Sequence, residues 1–121
     1  MSRFIIKSAK DGVKFDLEIN THVVCTSQVY KSLNGCQNGI ESVKKNASLH
    51  KVDDLTIEEK AQLSNPKFEV YQDKAGGFRF RLKASNGQIV AVSEDFKAKE
   101  DCLKVIELIA KEAYRAQIQK A

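Results

Sequence analysis

The feature that most constrains this chain is an internal duplication. Residues 4–47 align with residues 68–113 at an offset that drifts from about 64 to about 66 residues through small loop insertions. The matched positions keep both the alternation typical of strands and the three- and four-residue spacing typical of helices. Identical pairs in the alignment include Phe4 and Phe68, Cys36 and Cys102, and Ile40 and Ile106. The chain is therefore predicted to fold as two copies of one module.

Each copy reads as three strands followed by one helix. In the strands, apolar residues alternate with polar ones, which is typical of a sheet with one buried face. In the second strand of the first copy, for example, Phe15, Leu17 and Ile19 alternate with Lys14, Asp16 and Glu18. The apolar spacing then lengthens to three and four residues, which predicts an amphipathic helix. The helical stripes are Cys36, Ile40, Val43 and Ala47 in the first copy, and Cys102, Ile106, Ile109 and Ala113 in the second.

The size of the module favours one shared core. A module of about fifty residues buries too little surface to be stable alone, whereas 121 residues suit one compact domain. We therefore predict a single α+β domain, residues 1–121, made of two repeats of three strands and a helix, at about 3–47 and 67–113. The repeats should form one antiparallel sheet with both helices on one face.

A linker at about residues 48–66 joins the repeats. Within it, Thr56 and Glu59 have the spacing of a capping box, which predicts a short helix that ends near Ser64. Pro66 prevents that helix from continuing into the next strand, because proline disfavours helical backbone at the residue before it.

Two segments carry a resemblance to a known family. Residues 36–47 read CQNGIESVKKNA after Tyr-Lys-Ser at 30–32, and residues 78–84 read FRFRLKA before Asn-Gly at 86–87. In these motifs the chain resembles the YegP-like family of small bacterial proteins, and it departs from them at residues 103–105, which read LKV. The resemblance implies tandem three-stranded modules with helices on one side of a single sheet. It implies no activity and no catalytic residues.

The residue types used in catalysis and metal binding are sparse. Three cysteines without a C-x-x-C spacing indicate neither a disulfide framework nor a zinc site. Cys36 and Cys102 fall on the apolar stripes of the helices and Cys25 falls in a strand, so all three are predicted to pack in the core. His22 and His50 have no second histidine at metal-ligand spacing. We expect no catalytic residue, metal or cofactor, and predict a binding or interaction module rather than a small enzyme.

One face of the predicted sheet is a candidate binding surface. It comprises Arg79, Arg81, Lys83 and Tyr71. Arginines and aromatic rings on a sheet face can hold single-stranded nucleic acid, which is one hypothesis for this surface. The alternative, which we favour, is that Asp16 and Glu18 of the first repeat pair with Arg81 and Lys83 across neighbouring strands.

The second helix has a wider apolar arc than the first. Val105 and Leu108 stand where the first helix has Gly39 and Ser42. Something must cover these two side chains. The candidates are the predicted linker helix, with Leu55, Ile57 and Leu63, and a partner subunit, in which case the protein is a homodimer through Val105 and Leu108.

Charge and hydropathy narrow the partners and the compartment only slightly. Twenty Lys and Arg residues against sixteen Asp and Glu give a net charge of +4, with the two signs interspersed. Such a balance permits an anionic partner but does not indicate one. No apolar run reaches the roughly twenty residues that cross a bilayer, and the amino-terminal segment does not resemble a signal peptide. We therefore predict a cytoplasmic protein without a membrane partner.

Overall fold

The computed structural model describes residues 1–59 and 62–121, and this part of the chain contains eight strands and two long helices. The elements are β1 (Ser2–Ala9), β2 (Gly12–Ile19), β3 (His22–Thr26), α1 (Leu33–Ala47), β4 (Val52–Asp54), β5 (Lys67–Gln72), β6 (Phe78–Lys83), β7 (Ile89–Val92), α2 (Lys99–Glu112) and β8 (Gln117–Lys120). The strands form one sheet in the order β4-β5-β6-β7-β3-β2-β1-β8. The predicted α+β class and the tandem repeat are confirmed.

The two repeats pack their aromatic residues in the same way. An edge-to-face pair has ring centroids 5.6 Å apart in the first repeat and 5.7 Å apart in the second. A stacked pair follows, with centroids 6.3 Å apart in both repeats. The three rings are Phe4, Phe15 and Tyr30 in the first repeat and Phe68, Phe80 and Phe96 in the second. The duplication predicted from sequence therefore extends to the geometry of the core.

A buried serine ends the third strand of each repeat. The hydroxyl of Ser27 accepts a hydrogen bond from the backbone N–H of Phe15 at 2.9 Å and donates to the carbonyl of Gln28 at 2.7 Å. Ser93 makes the equivalent bonds with Phe80 and Glu94, at the same distances. Because both hydrogen-bonding capacities are used, each hydroxyl can be buried where the chain leaves the sheet.

The repeats exchange their last strands. β4, which follows the helix of the first repeat, lies parallel to β5 of the second repeat, and β8 lies parallel to β1. The sheet is therefore mixed, and the prediction of an antiparallel sheet is wrong at its two edges. Hairpins force neighbouring strands to be antiparallel, but β4 and β8 both follow helices, which carry no such constraint.

The predicted helix in the linker is wrong for its described residues. β4 occupies the start of the linker, residues 55–59 form turns and bends, and residues 62–64 are irregular. Lys60 and Ala61 lie outside the described residues. Thr56 does not cap a helix, because its backbone N–H and its hydroxyl both donate to Asp54 Oδ1, at 2.9 Å and 2.5 Å. An aspartate that binds the backbone two residues ahead makes a turn, and this local contact replaces the capping box.

The exchange predicts that the two halves of the chain need each other. We expect fragments 1–59 and 62–121, produced together, to form a folded 1:1 complex, because α1 packs against strands of both repeats and each half supplies an edge strand to the other. Size-exclusion chromatography with light scattering gives the mass, and amide NMR spectra show whether the fold is that of the intact chain. A folded monomer of either fragment alone would contradict the exchange.

Candidate functional site

The predicted binding residues do lie together on the outer face, which is the face of the sheet that the helices leave open. Arg79 pairs with Tyr71 across β5 and β6, and Arg81 pairs with Glu69. The guanidinium carbon of Arg81 lies 4.7 Å from the centroid of the Tyr71 ring, within the range of a cation–π contact. Lys83 continues the row along β6.

These cations are already paired with carboxylates of their own repeat. Glu69 Oε1 accepts a hydrogen bond from Arg81 Nε at 2.7 Å and lies 3.3 Å from Lys83 Nζ, while its Oε2 lies 3.3 Å from Lys67 Nζ. We call Glu69, Lys67, Arg81 and Lys83 the Glu69 cluster. Burial by itself raises the pKa of Glu69, but the hydrogen bonds from Arg81, Lys83 and Lys67 and the charge of Arg81 together outweigh burial and hold the pKa below its ordinary value.

The predicted pairing between repeats is wrong. Asp16 is 2.6 Å from Lys7, and Glu18 is 2.9 Å from Arg3, so both carboxylates bind bases on β1 of their own repeat. The strands β7 and β3 separate β6 from β2, and this keeps Asp16 and Glu18 away from Arg81. Asp16 and Glu18 thus pair within the first repeat, and Glu69 pairs with Arg81 and Lys83 within the second. Binding of single-stranded nucleic acid requires cations that phosphates can reach, and it stays a prediction for this surface.

The three thiols pack in the core, as predicted. Burial raises the pKa of Cys25 to about 12 and that of Cys102 to about 11, and it also raises the pKa of Cys36. Thiols with raised pKa values are poor nucleophiles at neutral pH, because the thiolate is the reactive form. Among residues 1–59 and 62–121, no group of three or more His, Cys, Asp or Glu side chains is placed to hold a metal ion.

Each helix forms a groove with the hairpin of the other repeat. The groove beside α1 has a volume of about 380 Å³, and we call it the polar groove because it is lined by Asn38, Glu41, Ser42 and Lys45 against Ala84 and Ser85. The groove beside α2 has a volume of about 410 Å³. We call it the apolar groove, because it is lined by Val105, Leu108 and Phe96 against Ile19, Val23 and Val24.

The apolar groove accounts for the wide apolar arc of α2. Val105 and Leu108 are partly buried, and the side chains beside them belong to the β2–β3 hairpin rather than to the linker. Of the two candidates for covering this arc, the linker helix is therefore wrong, and a homodimer through Val105 and Leu108 stays a prediction. Sequence reasoning missed the covering hairpin because it lies in the other repeat, at a distance in sequence of about eighty residues. His22, the exposed first residue of β3, also lines the groove.

A third concavity lies on the outer face at the β8 edge of the sheet. This outer cleft has a volume of about 420 Å³, and its lining includes Arg3, Glu18, Asn20, Gln117 and Gln119. Arg3 Nη1 donates a hydrogen bond to Gln119 Oε1 at 2.8 Å. Sequence reasoning missed the cleft because β8, which supplies the two glutamines, has only four residues, too few for an alternating pattern to be recognised.

Comparison with known families gives the same division of the chain. Residues 8–54 and residues 73–119 each match the family described as a domain of unknown function, DUF1508. The chain belongs to the DUF1508 family. Each matched copy ends within an exchanged strand, β4 or β8, so the family's repeat includes the strand that it donates to its neighbour.

Relatives of this DUF1508 protein differ in length. A UPF0339 protein of Methanosarcina acetivorans is 52% identical over 52 residues, which are 43% of this chain and 90% of that relative, so it is about one repeat long. The UPF0339 protein PA0329 of Pseudomonas aeruginosa is 36% identical over 95 residues, which are 77% of this chain and 73% of that relative.

Solved structures share the fold. The solution structure of UPF0339 protein SO3888 from Shewanella oneidensis has a TM-score of 0.79 and 25% identity, and the match covers 98% of this chain and 90% of that one. The solution structure of yegP from E. coli, a protein of unknown function, has a TM-score of 0.78 at 21% identity, covering 98% and 91%. Within the described residues, neither helix combines the length and the apolar composition needed to cross a bilayer.

Proposed function

We propose that this DUF1508 protein is a non-enzymatic interaction module whose apolar groove binds apolar side chains of a partner protein. The observation that carries the proposal is the contrast between the two grooves. They occupy equivalent places in the two repeats and have similar volumes, about 380 Å³ and 410 Å³. If the fold alone required an apolar lining, both grooves would be apolar. Leu108 of α2 nevertheless stands where α1 has Ser42.

The size and lining of the apolar groove suit a side chain of another molecule. Its volume lies within the roughly 300–1,000 Å³ of ligand pockets, and apolar walls with a few polar groups are typical of them. Val23, which lines the groove, is 40% exposed, so it has apolar surface left to bury. His22, Asn20 and Glu94 supply hydrogen-bonding groups beside that apolar surface.

A partner other than a second copy is favoured by the shape of the groove. A twofold homodimer places the same surface patch of both subunits in contact, so the patch must be self-complementary. Two concave grooves facing each other would leave a void. Filling the groove instead requires a convex side chain, and a partner protein can supply it.

The absence of enzymatic activity is supported by the chemistry of the thiols. The raised pKa values of Cys25 and Cys102 keep both groups protonated at neutral pH, so neither supplies a nucleophile. Both thiols are also buried, out of reach of a substrate.

Peptide selection tests the groove directly. We expect a random peptide library, selected on the intact protein, to yield peptides with bulky apolar residues whose binding shifts the NMR signals of Val23, Val105 and Leu108. The Leu108→Ser variant copies the residue of the polar groove and should weaken binding about tenfold. Fully burying a leucine contributes about 1.5–3 kcal/mol, and Leu108, which is already partly buried, should contribute the lower end of this range on binding.

The matched control is Ser42→Leu, which places the same side chain in the polar groove and should leave peptide affinity unchanged. Selected peptides that bind Leu108→Ser as tightly as the native protein would overturn the proposal. If instead the protein alone sediments as a dimer and Leu108→Ser sediments as a folded monomer, then the occupant is a second copy and the proposed partner is wrong.

A further inference from the structure

The outer cleft has a counterpart in the second repeat, and the two can be aligned contact by contact. Arg3 donates to Gln119 at 2.8 Å, and in the second repeat Lys67 donates to Asp53 at 2.7 Å. Pairing across the edge strands gives the same alignment, because Phe4 lies opposite Ile118 and Phe68 lies opposite Val52. Gln119 and Gln117 of β8 therefore correspond to Asp53 and to residue 51, a lysine.

In the second repeat this surface is occupied by the chain itself. The backbone N–H of Leu63 donates to Asp53 Oδ2 at 3.2 Å, and Lys51 Nζ donates to the carbonyl of Ser64 at 2.7 Å. These contacts hold an irregular segment of the linker by its main chain. As a result Asp53, although charged, is only 1% exposed.

In the first repeat the equivalent side chains line an open cleft. Gln117 and Gln119 are exposed, and together with Arg3 and Glu18 they border a volume of about 420 Å³. Among the described residues, the Lys67–Asp53 contact has a counterpart here, between Arg3 and Gln119, whereas the two contacts to the linker main chain have none. The groups that would hold a polypeptide segment are in place, and none of the described residues forms such a segment over the cleft.

We propose that the outer cleft is a docking site for an extended segment of a partner protein, recognised through its main chain. Gln119 Oε1 accepts an N–H of the segment, as Asp53 accepts that of Leu63. The side-chain amide of Gln117 donates to the next carbonyl, as Lys51 donates to Ser64. This site lies on the opposite face of the sheet from the apolar groove, and it does not depend on the function proposed for that groove.

The charges of the cleft favour a neutral peptide over an anion. Both cations that border the cleft are already bound: Arg3 contacts Glu18 at 2.9 Å and Gln119, and the amino-terminal ammonium of Met1 donates to Asn20 at 3.0 Å. The Glu18 carboxylate would repel a phosphate or a free carboxylate. Glutamine side chains instead present a carbonyl and an N–H, which are the groups that complement a peptide backbone.

An NMR titration of the intact protein with a synthetic peptide tests this site. The probe is an acetylated and amidated peptide with the sequence of residues 62–67, QLSNPK, which includes the segment held in the second repeat. We expect shifts in the side-chain amides of Gln117 and Gln119 and in Arg3. Gln119→Leu, or N-methylation of the leucine in the peptide, should each weaken binding by roughly two- to tenfold, because each removes one hydrogen bond.

Two further variants sharpen the test. Gln88→Leu changes an exposed glutamine far from the cleft and should leave the affinity unchanged. The double variant Gln117→Lys and Gln119→Asp copies the second repeat and should bind the peptide about fivefold more tightly, since charge-assisted hydrogen bonds are stronger.

Three outcomes would overturn the proposal. The first is an affinity that does not change in Gln119→Leu. The second is a set of shifts that falls at Val105 and Leu108, which would place the peptide in the apolar groove. The third is a spectrum of the free protein that changes with its own concentration, with the change abolished by Gln119→Leu, since the occupant would then be a second copy.

Discussion

Replacing Gly39 with valine is expected to lower the free energy of unfolding by about 3 kcal/mol, the upper end of the usual cost of overpacking. A Cβ atom at this position would lie 2.7 Å from Cζ of Tyr30, closer still to its hydroxyl oxygen, and 3.2 Å from Phe15. Glycine inside a helix is itself unfavourable by roughly 0.5–1 kcal/mol relative to alanine, so a substitution without the clash would stabilise α1. Urea denaturation of the two proteins measures the difference.

The second repeat suggests how the clash can be relieved. There the helix has Val105 at the position of Gly39, and the ring beside it is Phe96, which lacks the hydroxyl of Tyr30. We therefore expect Tyr30→Phe to recover about 1 kcal/mol or more in the Gly39→Val background, although it gains nothing in the native one. If the two effects simply add, Tyr30 does not explain the glycine. The matched double-mutant cycle in the second repeat compares Phe96→Tyr alone with Phe96→Tyr combined with Val105→Gly.

Much of this core could be predicted from the sequence, because the core residues of one module recur in the other. The helical stripes and the alternating strands identify the core residues of both modules, and the structure buries them. Gly39 and Val105 were also distinguishable as a difference between the helices. The sequence did not show which aromatic ring contacts each of these two residues. That contact depends on the path of the chain before each helix, where Tyr30 and Phe96 pair with the second strand of their repeats.

The exchanged strands could not be predicted from periodicity. β4 has three residues and β8 has four, too few for alternation to be visible. They pair with β5 and β1 through backbone hydrogen bonds, which almost any sequence can provide, and Val52 of β4 also packs against the core. The outer cleft depends on β8, so it could not be predicted from the sequence either.

The prediction that charges on the outer face pair between the repeats was wrong for a related reason. Opposite charges on the second strands of the two repeats suggested that these strands were neighbours. The sheet instead joins the repeats through β3 and β7, where Thr26 lies opposite Val92. The sequence identified which residues face outward, but the order of the strands decides which charges meet.

The second large effect is expected at the carboxylate of the Glu69 cluster. Glu69→Gln should lower the free energy of unfolding by about 3 kcal/mol, the cost of breaking a buried ion pair. The Glu69 side chain is 7% exposed and contacts Lys67, Arg81 and Lys83, whose charges remain after the substitution. Chemical denaturation at neutral pH and moderate salt measures the loss.

Glu18→Gln is the matched control on the outer face of the first repeat. Its side chain is 16% exposed and pairs with Arg3, which is itself 42% exposed. Exposed pairs contribute at most about 1 kcal/mol, so this variant should lose much less stability than Glu69→Gln. Equal losses in the two variants would mean that the Glu69 cluster is no more than a set of surface contacts.

The pH dependence of stability distinguishes the charge of Glu69 from its shape. Its pKa in the folded protein lies below the ordinary value of 4.5, so the carboxylate stabilises the fold above that pH. This contribution is lost as the pH falls from about 4.5 through the lowered folded pKa. Glutamine does not titrate, so the native protein should lose more stability than Glu69→Gln over this interval, and the two unfolding curves should converge.

Asp16 and Asp54 also have lowered pKa values and are present in both proteins, so their loss appears equally in each curve. A constant difference between the curves from pH 7 to pH 3 would show that Glu69 acts through packing alone.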